Sequence, residues 1–190
     1  GDNAFSACQN LLSIVFERGS NLGFIGQFAF ADCENLLEIQ IPDSCHIIGE
    51  DAFSYCQELV KVTLPKFLNV IEEETFSGCI KLTKINFPEE LRNIKSFAFE
   101  NCAQLRKIDL PDSVEVIEGL AFLQCTNLTE IYMGAMLTEF QDAFDKCHGV
   151  RSIFIKNGAT KTKFQGNKKA LLKYMGLPEK LSSQVDVVYL

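Results

Sequence analysis

Eight cysteines are the chemically most reactive side chains in this 190-residue chain. Cysteines at regular intervals raise the possibility of a disulfide framework or a metal site, and a Cys beside a His that of a thiol nucleophile. None of these patterns develops. There is no Cys-x-x-Cys, and no Cys/His pair at zinc-finger spacing. His46 and His148 are the only histidines. Cys147 and His148 are sequence neighbours, but a dyad needs the two side chains apposed in space and a third group to orient the base. Glu72, Glu73 and Glu74 fall where a turn is expected and read as a solvated edge. No glycine-rich phosphate loop occurs, and the sequon Asn127-Leu128-Thr129 has a core position at its centre. No catalytic residue, metal ligand or cofactor is therefore expected, and the chain reads as a non-enzyme.

The cysteines make sense as rungs. Seven occupy one position of an Ala-Phe-x-x-Cys element, with the pairs Phe5/Cys8, Phe30/Cys33, Phe53/Cys56, Phe76/Cys79, Phe99/Cys102, Phe122/Cys125 and Phe144/Cys147. Thr75 replaces Ala in the fourth. Cys45 takes a slot filled elsewhere by Leu68, Leu91, Val114 and Leu137. Cysteine behaves as a small buried apolar residue, and parallel side chains leaving one face hold their Cβ atoms too far apart for an unstrained disulfide. All are expected as reduced thiols.

The cysteines belong to a longer repeating unit. Turns starting at Ile48, Ile71, Ile94 and Ile117 follow one another at 23 residues. In the turn from Ile94, Ala98, Phe99 and Cys102 would share one face of a short helical turn. Leu105, Ile108 and Leu110 follow, and the alternation of Ile108 and Leu110 with polar residues predicts a half-buried strand. Pro111, like Pro42, Pro65 and Pro88, ends that strand because it lacks an N–H. Strands of successive turns would pair in parallel at about 4.8 Å. Val114 and Ile117 suggest a second brief extended segment. A fixed period in this range is the mark of a leucine-rich-repeat solenoid, α/β in class, here right-handed with six to seven repeats.

Departures from the period are local. Cys8 to Cys33 spans 25 residues, and the extra two fit the loop Glu17–Gly23. Gly134 stands where other turns have Pro, and the chain opens at Gly1 in mid-repeat without an initiator Met, as a piece of a longer or processed chain would. The pattern spans residues 1–155, with the first repeat truncated. Residues 156–190 then read as a C-terminal cap of the same domain. Asn167 is an N-cap candidate, Gly176 a stop signal, Leu171, Leu172 and Met175 an apolar helix side, and Val185–Leu190 an extended tail. An open solenoid end requires such cover. The rival reading is a basic docking helix carrying Lys161, Lys163, Lys168, Lys169 and Lys173.

Charge follows the same division. The net charge of −7 divides into −12 for residues 1–155 and +5 for residues 156–190. An acidic body argues against general nucleic-acid binding. No uninterrupted apolar run approaches the roughly 18 residues of a membrane helix, so no insertion is expected.

What remains for function is the exposed side of the strands. One column is Ser13, Glu38, Lys61, Lys84, Lys107, Glu130 and Ser152, and another is Val15, Gln40, Thr63, Asn86, Asp109, Tyr132 and Phe154. In a solenoid these become ladders on one surface, the usual ligand face. Lys61, Lys84 and Lys107 would form a basic stripe beside Asp109, with Tyr132 and Phe154 adjacent at its C-terminal end next to Arg151. Exposed aromatics with Arg are the residue types that anchor protein interfaces.

The unit Ile-x-x-x-Ala-Phe-x-x-Cys-x-x-Leu-x-x-Ile-x-Leu-Pro-x-x-Val resembles the BspA-like, Treponema-type leucine-rich repeat. Ile48-Gly49, Ala52-Phe53 and Cys56 carry the likeness, as do Leu105, Ile108, Leu110-Pro111, Asp112-Ser113-Val114 and Ile117. The resemblance covers roughly residues 2–155. It implies a secreted or surface-attached protein of a host-associated microbe and adhesion to host extracellular proteins or glycans. The family motif is structural and transfers no binding residue. The expectation is a monomeric, non-enzymatic binding module using its strand face. The rival is a stalk or spacer with binding elsewhere.

Overall fold

The computed structural model describes residues 1–156, 159–164 and 166–190, with side chains of 159–161 excluded. Each turn contributes two short strands. The first set is β2 (Glu38–Gln40), β4 (Lys61–Thr63), β6 (Lys84–Asn86), β8 (Lys107–Asp109), β10 (Glu130–Met133) and β11 (Ser152–Ile155). The second set is β1 (Phe24–Ile25), β3 (Ile47–Ile48), β5 (Val70–Ile71), β7 (Asn93–Ile94) and β9 (Val116–Ile117). They pair in parallel at the repeat offset in four runs, β2–β4–β6, β8–β10–β11, β1–β3 and β5–β7–β9, so Val62 faces Ile85 and Ile94 faces Ile117. The second extended segment suggested by Val114 and Ile117 is thus a real strand in every complete turn. The result is a parallel β-solenoid of leucine-rich-repeat type.

Alternation decides which side chains go inside. Ile39, Val62, Ile108, Ile131 and Ile153 are buried, while their strand neighbours face out. Between the sheets runs a column of aromatic rings. Phe5, Phe30, Phe53, Phe76, Phe99, Phe122 and Phe144 stack with centroids 5.0 to 5.5 Å apart and planes within 15°. Stacked contacts of this kind add roughly 0.5–1.5 kcal/mol each beyond their burial.

The segment expected as a short helical turn differs from that expectation. Ala98, Phe99 and Cys102 do share the buried face, but no helix forms there. Two residues per repeat adopt left-handed backbone instead: Phe97 and Asn101 in one turn (φ 57° and 53°), Leu120 and Gln124 in the next (φ 65° and 61°). Each such residue costs about 1–2 kcal/mol in isolation. What offsets this is a third ladder between repeats. Phe76 N–H donates to the Ala98 carbonyl at 2.9 Å, and Phe99 N–H to the Ala121 carbonyl at 2.7 Å. A helix would direct these N–H groups along its own axis and abolish this third ladder.

The thiols are reduced and do more than fill space. Cys33, Cys56, Cys79, Cys102, Cys125 and Cys147 each donate from Sγ to the Phe carbonyl of the preceding turn, at 3.1 to 3.3 Å. Burial raises the pKa of Cys56, Cys79, Cys102 and Cys125 well above the usual thiol range. This keeps the thiols protonated and able to donate.

The irregular turns have local causes. The loop after Glu17 closes through the Ser20 N–H to the Glu17 carbonyl, with Gly19 left-handed. Gly134 backs so closely onto the Pro111 carbonyl that a Cβ there would collide with it.

After β11 come α1 (Ala159–Phe164), α2 (Lys168–Tyr174), a 3-10 helix Glu179–Ser183 and β12 (Asp186–Tyr189). The Asn167 side chain accepts from Ala170 N–H, as an N-cap does. Leu171, Leu172 and Met175 are buried against the last turn. Asp142 and Phe144 N–H groups, which in earlier turns would donate to the next repeat, here donate to the carbonyls of Tyr174 and Met175 at 2.8 and 2.9 Å. These are carbonyls at the C-terminal end of α2, which need outside donors. β12 adds in parallel to β11 and covers that sheet edge.

Candidate ligand-binding face

The strand register brings the predicted face together in two groups. Lys61 sits opposite Glu38 on one side and Lys84 on the other. The ladder then breaks. β2, β4 and β6 form one sheet and β8, β10, β11 and β12 another, with no backbone hydrogen bond joining β6 to β8. Lys84 and Lys107 are therefore not ladder neighbours, and the expected three-lysine stripe is interrupted.

Lys107 belongs to the second group. Its Nζ lies 3.1 Å from Asp109 Oδ2 and 4.2 Å from the centre of the Tyr132 ring. The hydrogen bond to Asp109 raises the pKa of Lys107, so its charge is held firmly at neutral pH. Tyr132 and Phe154 pair in register and stack at 4.2 Å with planes 10° apart, both half-exposed. Tyr132 hydroxyl donates to Glu130 Oε2 at 3.4 Å. Arg151 is not aimed at these rings: its Nη1 donates to the Val150 carbonyl at 3.0 Å.

Other chemically suggestive residues are placed apart. Cys147 is buried with its Sγ on the Phe122 carbonyl, whereas His148 is exposed. No cluster of three or more His, Cys, Asp or Glu among the described residues could hold a metal. Glu72 and Glu74 have pKa values raised by partial burial, Glu74 also by Asp51 and Glu100. Asn127 donates its amide to the Ala103 carbonyl at 2.7 Å, a link between turns. No helix among the described residues is long and apolar enough to cross a membrane.

One feature of this face escaped the reading of the sequence. At the break, Lys61, Lys84, Lys107, Thr83, Asn86 and Asp109 surround a cleft of about 510 Å3 with Ile85 and Phe87 in its floor. The available signal was Phe87 itself, a Phe in a slot that holds Ile41, Leu64, Leu110, Met133 or Ile155 in other turns.

The sequence model of the BspA type leucine-rich repeat region matches in six copies, over residues 1–72 and 47–171. A leucine-rich cell surface protein from Faecalibacterium prausnitzii A2-165 is similar in structure, with a TM-score of 0.67 and 25% identity over 82% of this chain and 52% of that one. A leucine-rich-repeat protein from Bacteroides ovatus gives 0.57 at 20% identity, over 100% of this chain and 63% of that one. The T. pallidum leucine-rich-repeat protein gives 0.55 at 22% identity, over 86% and 82%. The chain thus spans about half the length of the first and under two-thirds of the second. No curated protein matches the sequence.

Proposed function

The chain belongs to the BspA-type leucine-rich-repeat family, and from that membership we propose that it is a non-enzymatic binding module of a microbial surface or secreted protein. It takes a protein ligand, glycosylated or not, on the exposed face of its first-set strands. The observation that supports this most is the stacked Tyr132–Phe154 pair, half-exposed on that face with Lys107 over one ring. The two rings are held by adjacent strands and by each other, so little side-chain freedom is lost when a ligand covers them. Aromatic anchors of this kind dominate interface energies, at about 2 kcal/mol or more for a central one. Asp109, Arg151, Lys61 and Lys84 extend the face on either side. The surface location draws support from the F. prausnitzii protein, which is described as a cell surface protein.

The test is surface plasmon resonance against a panel of purified extracellular-matrix glycoproteins, each before and after deglycosylation. At least one should bind, and Tyr132→Thr with Phe154→Thr should weaken it about tenfold or more while the circular-dichroism melt shows a folded chain. If no glycoprotein binds, or the double variant binds unchanged, the reading fails and a spacer role is favoured.

A further inference from the structure

The cleft between β6 and β8 has an identifiable cause. Ile41, Leu64, Leu110, Met133 and Ile155 are all buried in their slot, but Phe87 is only half-buried. Its ring stands edge-on to Phe99 of the next turn, centroids 5.8 Å apart and planes at 78°. A ring in a slot sized for Leu or Ile overpacks it, and the strands above it part. Ile85 is half-buried while every equivalent from Ile39 to Ile153 is buried. Ile41 and Leu110 donate their N–H to the Thr63 and Tyr132 carbonyls of the next turn, but Phe87 N–H has no such partner. On the other side of β6 the Asn86 side chain has turned back, accepting from Leu64 N–H at 2.9 Å.

Two lysines on the rim of this cleft lack the ion pairs between turns that four other cations of the solenoid make. Lys66, Lys81, Arg92 and Lys95 each pair with an acid 23 residues away, Asp43, Glu58, Glu115 and Glu118. Lys61 and Lys84 are instead in register with each other. Glu38 lies opposite Lys61 in the ladder but makes no ion pair with it, and neither lysine has an acidic partner within 4 Å among the described residues. Like charges directly opposite on paired strands destabilise a sheet, and such a local conflict is expected where a ligand resolves it.

We infer that the β6/β8 cleft binds an acidic, extended peptide segment of a protein partner. Its carboxylates would meet Lys61 and Lys84, its apolar side chains Ile85 and Phe87, and one of its carbonyls the free N–H of Phe87. The backbone donor and the apolar floor select a peptide over a sulfated glycan, which would use the lysines alone. This assignment rests on the strand face being the binding surface.

The probe is a fluorescein-labelled nonapeptide alternating Glu and Leu, measured by anisotropy against its Gln/Leu counterpart and a heparin hexasaccharide. The acidic peptide should bind in the micromolar range, and the Gln peptide at least about tenfold more weakly. Lys61→Gln with Lys84→Gln should produce the same loss. Phe87→Leu should produce it too, by closing the sheet with both lysines still present, and its fold can be checked by circular dichroism. Absence of binding, equal binding of the Gln peptide, or full binding by Phe87→Leu overturns the assignment. So does a hexasaccharide that binds more tightly than the peptide and ignores Phe87→Leu. The Tyr132–Phe154 rings are tested separately, with the matrix glycoproteins. If the peptide fails while matrix proteins still bind through those rings, only the cleft assignment falls; if both fail, the strand-face reading falls with it.

Discussion

Phe99→Ala should destabilise the chain by about 3–5 kcal/mol, read as a lower urea midpoint. Phe99 is fully buried and stacks on Phe76 at 5.5 Å and Phe122 at 5.0 Å. Its truncation removes both stacking partners and the edge contact with Phe87, and leaves a cavity in mid-column. The surrounding backbone cannot collapse into that cavity. Phe99 N–H is tied to the Ala121 carbonyl, and Phe99 carbonyl receives Cys125 Sγ at 3.2 Å. Thiol titration gives a second readout. In the native chain Cys8 is exposed and the other cysteines are buried, so a thiol reagent should label Cys8 first and the rest only on unfolding. In Phe99→Ala, Cys102 and Cys125 should become reactive at denaturant concentrations where the unaltered chain protects them. A loss under about 1 kcal/mol would mean that the ring column does not hold the stack.

Leu171→Asp should be comparably damaging, at several kcal/mol, through burial of an unpaired carboxylate. Leu171 is fully buried and Leu172 nearly so. The helix that carries them places the Tyr174 and Met175 carbonyls on the last donors of the turn ladder. Dislodging α2 thus exposes Phe140 and Phe144 and strands the N–H groups of Asp142 and Phe144. We propose on this basis that residues 156–190 serve as the cap of the solenoid. A basic docking helix would tolerate the change with little effect on the melting midpoint, so calorimetry separates the two roles. Lys163, whose Nζ lies 3.9 Å from the Tyr174 ring centre, contributes to the packing of this cap. The side chain of Lys161 lies outside the described residues.

The skeleton was legible because burial acts through period. A repeat of 23 with strand alternation placed Ile108, Leu110 and Val114 inside, and the same arithmetic put Tyr132 beside Phe154. The turn segment was not legible in its backbone. One left-handed position holds Asn3, Asp51 and Asp142, which tolerate that region, but also Phe28, Glu74, Phe97 and Leu120, which do not favour it. Their conformation is imposed by the inter-repeat ladder, which no local propensity encodes. The broken sheet was hidden for a different reason. Phe87 satisfies the apolar pattern as well as Leu110 does, and only its volume makes β6 and β8 part. Arg151 was placed beside the rings by sequence proximity, whereas its guanidinium found nearer carbonyl acceptors.

In the proposed function the apolar repeat builds the stack and binding falls to the strand face. Lysine acetylation footprinting, with and without the matrix glycoprotein that binds most tightly, measures this directly. Lys61, Lys84 and Lys107 should be protected in the complex, while Lys66, Lys81 and Lys95 react as in the free chain. Protection of Lys66, Lys81 and Lys95 with the strand-face lysines unchanged would contradict it.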